Sequence, residues 1–168
     1  EYIITGCFSI IWILPIILVS SDFNSENFGL NFEKILIAIP FTYITGMLID
    51  YVGSKCLKKW KNKIEIKSQE KYKLSANSYY RIVVKTASSN SELTKQLGIR
   101  VSSVRIARGA VINLFLSLTI PIYFLIEGKL IIAVISVGIL FIIFLLTWKM
   151  WKKKLESSFK FQAEILKH

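Results

Sequence analysis

The chain has one histidine, two cysteines and three prolines in 168 residues, and 11 acidic side chains against 22 basic ones. Each shortage removes a class of chemistry. The one histidine, His168, is the last residue, so no histidine stands beside a serine or cysteine nucleophile and no metal-ligand cluster can form around it. Cys7 falls in an apolar run and Cys56 in a basic one, a placement that suits neither a secretory disulfide nor a metal site. No glycine-rich phosphate loop is present. Asp50 is the one carboxylate well inside an apolar run, which rules out a paired-aspartate mechanism. No catalytic residue, metal site or cofactor is therefore expected, and the chain reads as non-enzymatic.

What is abundant is apolar surface. Hydrophobic residues make up 53% of the chain, and the mean hydropathy is +0.50. Four apolar runs, at 2–20, 33–53, 107–126 and 130–148, approach the length of about 20 residues that a helix needs to cross a bilayer. The first run lacks the basic leader and small-residue cleavage site of a signal peptide. The chain starts on Glu1 rather than Met, so a short stretch is expected to precede it. The expected fold is an all-α integral membrane protein with four transmembrane helices in two hairpins. A basic helical cytosolic bundle would extend helices two, three and four. The expected segments are a first hairpin at 1–53, a basic insertion at 54–105, a second hairpin at 106–148 and a helical tail at 149–168.

Charge sets the expected orientation. Of the 22 basic residues, 14 lie between 54 and 108 and six lie from Lys149 onward. Cytoplasmic loops collect Lys and Arg, which places both basic regions, and both termini, inside the cell's inner membrane. Within the insertion, Ser89 and Glu92 have capping-box spacing. A stripe of Leu93, Leu97, Val101 and Val104 predicts one helix from about 90 to 126. Residues 77–89 suggest a short helix. Trp151, Leu155 and Phe159 share a face of the tail.

Polar residues recur inside the apolar runs. Thr42, Gly46 and Asp50 are spaced by four, as are Arg105, Gly109, Asn113, Ser117 and Pro121. Small and hydrogen-bonding residues at that spacing mark helix contacts rather than lipid-facing surface, and a homo-oligomer joined through helices two and three is expected to bury them. Charges at such depth pair or reach water. Asp50 and Arg108 are the expected pair, with Arg105 facing lipid phosphate. The plainer reading is that both arginines are anchors that snorkel to headgroups. Pro15, Pro40 and Pro121 all fall in apolar runs, where membrane helices tolerate proline; three kinks at one depth would instead widen a vestibule.

The insertion carries 14 basic and three acidic residues over 54–108. Lys55, Lys58, Lys59, Lys61 and Lys63 crowd next to the second run. Each would contribute about 1 kcal/mol of attraction to an anionic leaflet. Anionic membrane lipid is the first expected partner of these lysines, a cytosolic protein the second, and nucleic acid the third.

Four membrane helices, a basic helical insertion after the second and an uncapped tail resemble small membrane components of bacterial anti-phage defence systems. The likeness is to the Kiwa-type membrane subunit and to the membrane accessory proteins of some CRISPR loci. It covers the whole chain, rests on architecture, and carries over no functional residue. It implies a sensor or effector that gates or perturbs the membrane. The alternative is an anchor whose basic bundle recruits a partner to the inner leaflet.

Overall fold

The computed structural model describes residues 1–20, 32–72, 82 and 91–167. The expected helix at 77–89, apart from Ile82, and the Ser89 cap lie outside them. Among the described residues all regular structure is helical: α1 (Tyr2–Ser20), α2 (Phe32–Cys56), α3 (Lys58–Tyr72), α4 (Ser91–Leu116), α5 (Thr119–Ile126) and α6 (Leu130–Lys167). Two helical segments, Ser91–Ile126 and Leu130–Ile165, are long and apolar enough to cross a membrane.

Helix α2 passes into α3 with a single irregular residue, Leu57. The backbone hydrogen bonds continue across it, from Leu57 N–H to the Gly53 carbonyl at 3.0 Å and from Lys61 N–H to the Leu57 carbonyl at 2.9 Å. The helix expected to be unbroken from 90 to 126 is interrupted at Ser117 and Leu118, between α4 and α5. Pro121 is the cause. It has no N–H to return to the Ser117 carbonyl, and its ring crowds that carbonyl. Ile120 N–H takes the carbonyl instead, at 3.0 Å, in a tighter turn. Pro15 and Pro40 lie inside α1 and α2 without ending them, so the three prolines do not act alike.

The turn from α5 to α6 needs a glycine. Gly128 has φ of +71°, and its N–H meets the Leu125 carbonyl at 3.1 Å. Lys129 N–H meets the Phe124 carbonyl at 2.8 Å. This is the hydrogen-bond pattern of a Schellman cap, in which glycine takes the left-handed position.

Helix α6 then runs for 38 residues, about 57 Å at 1.5 Å per residue. It has two regimes. Ile131, Val134, Phe141, Ile142 and Leu146 are exposed along its first half, as suits a helix whose surroundings are hydrocarbon. Beyond Lys149, the face of Trp151, Leu155 and Phe159 is buried against Leu57 of the α2–α3 joint and Ala107 and Val111 of α4. A second cluster joins Leu97 of α4 to Phe161 and Ile165 of α6, with Ile82 fully buried among them. The basic end is thus a packed bundle, and the face expected for the tail is its core.

Helices α1 and α2 approach closely enough that glycine is required on both. A Cβ on Gly6 would collide with the Thr42 carbonyl, and one on Gly46 with the Tyr2 carbonyl. Backbone-to-backbone contact of this kind is how apolar helices associate when burial from water offers no drive. Gly138 on α6, by contrast, has open space around it. Gly46→Leu is expected to lower stability by about 3 kcal/mol, and Gly138→Leu by less than about 0.5 kcal/mol. Thermal unfolding of both variants in one mild detergent checks the contrast.

Candidate functional site

The row of polar positions on α4 forms a seam with α1 and α2. At its centre is Asn113, 3% exposed. Its amide nitrogen donates to the Thr5 carbonyl at 2.9 Å. Its amide oxygen accepts from the Ser9 hydroxyl at 3.0 Å and from the Trp12 indole N–H at 2.9 Å. All three partners belong to α1. Two further contacts extend the seam. The Thr119 hydroxyl donates to the Trp12 carbonyl at 3.1 Å, and Gly109 lies against the Thr5 side chain, where a Cβ would not fit.

Toward the basic end, α4 carries two charges into the same seam. Arg108 Nε donates to Asp50 Oδ1 at 3.2 Å, and its Nη2 donates to the same oxygen. Both side chains are mostly buried, at 15% and 16% exposed. Gly53 makes the reach possible: a Cβ there would lie 3.2 Å from the Arg108 methylene carbon and 3.1 Å from Ile112. A larger residue would push the arginine off α2. One turn further out, Arg105 Nη1 donates to Glu1 Oε1 at 3.0 Å. Glu1 thus gives Arg105 a carboxylate partner from the same chain, while 44% of the arginine side chain stays exposed.

The remaining sequence-marked positions divide by role. The Ser117 hydroxyl bonds the Asn113 carbonyl of its own helix at 2.8 Å and is buried. The Thr42 hydroxyl bonds the Ile39 carbonyl at 2.8 Å and is exposed; its backbone, not its hydroxyl, makes the contact with Gly6. Gly46 serves the α1–α2 crossing. Lys55, Lys58, Lys59, Lys61 and Lys63 are all exposed, with Lys55 lying 5.6 Å from the Tyr51 ring centroid. Ile64 and Tyr72 of α3 pack onto the core.

Within the chain, α1 covers the α4 row at Gly109 and Asn113, Asp50 of the α2 row pairs with Arg108, and Thr42 stays exposed. Residues Thr5, Ser9 and Trp12, which do the covering, were not marked from the sequence. Their signal was present: two small hydroxyls spaced by four in an apolar run, followed by a tryptophan whose N–H seeks an acceptor. An aromatic group at the basic end was also missed. Trp148 meets Trp60 edge-on at 5.4 Å and stacks on Phe144 at 6.0 Å. Arg100 links α4 to the tail as well, donating to Ser157 at 3.0 Å and lying 4.3 Å from the Phe161 ring centroid.

Chemically, this arrangement is a clamp. Two ion pairs and one amide hold α1, α2 and α4 in a fixed register, and Arg100 with the apolar core ties α4 to α6. Asn113→Leu strands the Trp12 N–H and is expected to cost about 1–3 kcal/mol. Asp50→Ala and Arg108→Ala should each destabilise, and a double-mutant cycle should return a coupling of about 2 kcal/mol. The same cycle on the exposed Glu127–Lys129 pair, 3.7 Å apart, should return about zero. Compared with models of known protein families, with curated proteins and with solved structures, the chain shows no significant match.

Proposed function

We propose that the chain is a non-enzymatic membrane anchor that crosses the inner membrane four times, with both termini in the cytoplasm. Its basic helical bundle holds a cytosolic partner at the inner leaflet. The observation that carries this reading is the closure of the polar seam by α1. A pore assembled from several copies needs polar side chains left over to line it. Here Asp50, Arg108 and Asn113 are satisfied inside one chain. What remains outward on the membrane half of α6 is apolar, which suits contact with lipid.

The basic end supports the second half of the reading. The exposed lysines of α3 stand next to Trp60 and Trp148, and tryptophans concentrate where membrane meets water. Their summed attraction to anionic lipid holds α3 at the surface. The outward lysines then offer an acidic protein surface a dense positive field. In a bacterial defence setting, which the architectural resemblance implies, that partner would be the component the anchor delivers to the membrane.

Topology and activity can be tested together. In a background with Cys7 and Cys56 replaced by serine, a cysteine at Glu127 should react with an impermeant maleimide on intact spheroplasts. A cysteine at Lys58 should react only after lysis. Reaction of both, or of neither, on intact spheroplasts sinks the four-span orientation. Overexpression should leave the membrane potential unchanged, and Lys58, Lys59 and Lys61→Glu should abolish partner capture. Depolarisation that disappears in Asn113→Leu would instead establish a gated leak.

A further inference from the structure

The bundle at the basic end is not filled. Between α2–α3, α4 and α6 lies a cavity of about 430 Å³, within the range that encloses a small ligand. Its walls include Leu57, Leu155 and Phe159, the cations Lys61, Arg105 and Arg108, and the carboxylates of Glu65 and of Asp50, which Arg108 holds. Two of its lining residues, Trp151 and Gln162, are 1% and 4% exposed. The indole N–H of Trp151 and the amide oxygen of Gln162 are both buried with no hydrogen-bond partner among the described residues. Native proteins pair nearly all such atoms, with each other, with water or with a ligand.

The two orphans differ in kind and in place. An indole N–H only donates, so it calls for an acceptor; an amide oxygen calls for a donor. They stand eleven residues apart on α6, about 16 Å along the axis, with Trp151 nearer the membrane half. A single water or hydroxyl does not span that separation. A single occupant that satisfies both presents an acceptor at the membrane end, apolar or anionic groups between, and a hydroxyl at the far end. Lys61, and Arg105 with one of its N–H groups on Glu1, supply cationic donors along the way. On the membrane side of Trp151, α6 is exposed and apolar, so a chain leaving the cavity has a surface to follow.

We infer that this cavity is a binding site for one anionic lipid, taken by a phosphodiester head group that ends in free hydroxyls. An ester carbonyl accepts from Trp151, the phosphate faces Lys61 and Arg105, and a terminal hydroxyl donates to Gln162. This rests on the membrane reading above. It goes beyond general attraction of lysines to a charged leaflet, because it requires one head group and two uncharged side chains.

The test uses the full chain, purified and stripped of lipid in a mild detergent. A protein that stays monodisperse with no detergent overturns the membrane reading before any lipid is added. Phosphatidylglycerol should raise the unfolding midpoint. Phosphatidylcholine with the same acyl chains should not, and neither should glycerol 3-phosphate. Gln162→Leu removes an unpaired buried atom, so without lipid it should unfold at the parent's midpoint or above it; Trp151→Phe also gives up core packing and should unfold below it. Both should weaken phosphatidylglycerol binding by about fivefold or more, while Lys160→Gln, at an exposed position outside the cavity, should retain it. Equal stabilisation by phosphatidylcholine, equally tight binding of glycerol 3-phosphate, or undiminished lipid affinity in both variants overturns the inference. So does a lipid-free midpoint of Gln162→Leu well below the parent's, which would show that its amide oxygen already has a structural partner.

Discussion

The hydrogen bonds of Asn113 fix the position of α1, and much of the rest depends on where α1 lies. A side-chain amide surrounded by hydrocarbon has no water to fall back on, so its partners are held tightly or the helix is lost. Here all the partners come from about two turns of α1: the Thr5 carbonyl, the Ser9 hydroxyl and the Trp12 N–H. That choice sets both the rotation and the height of α1. With α1 so placed, Gly6 meets the Thr42 carbonyl and Gly46 meets the Tyr2 carbonyl. Glu1 also arrives beside Arg105. The α1–α2 crossing and one of the two ion pairs thus follow from the same three contacts.

The Asp50–Arg108 pair is a different kind of constraint. An arginine in this position cannot shed its proton, so it must find a carboxylate, a headgroup or water. Gly53 lets it lie across α2 to Asp50 rather than swing outward. A pair like this adds little stability over apolar residues of similar size, but it penalises every register in which one member is left alone. It therefore works as a register pin for α2 against α4. The apolar contacts that surround it, Ile49, Val111 and Ile112, would by themselves tolerate sliding.

Much of the fold was legible because periodicity and charge are local properties. The long final helix, the tail face of Trp151, Leu155 and Phe159, and the continuation of α2 into α3 all follow from spacing. The meeting of Asp50 with Arg108 was also foreseeable, since both are costly to leave unpaired and both lie near the basic end of their helices. What could not be read was which helix would cover a polar row. Asn113 could bond to a neighbouring subunit or to α1 with equal chemical satisfaction, and the sequence spacing is the same either way. Arg105 shows the same ambiguity, because a phosphate and a Glu1 carboxylate offer it similar oxygens. The break at Ser117 and Leu118 needed a different weighing: Pro121 in an apolar run is often tolerated, and here it ended a helix that Pro15 and Pro40 did not.

The two regimes of α6 explain why a cavity persists at one level. Through its first half, α6 is largely exposed apart from positions such as Ala133. Beyond Lys149 the same helix packs against α3 and α4. The joint between regimes falls where bulky Trp148 and Trp151 hold the helices apart, while Gly53 and Ser54 thin the opposing wall. A gap is the geometric result. A gap bounded only by apolar side chains would remain empty or collapse. This one is bounded by a buried donor, a buried acceptor and charged side chains of both signs, so it suits an occupant of matching polarity.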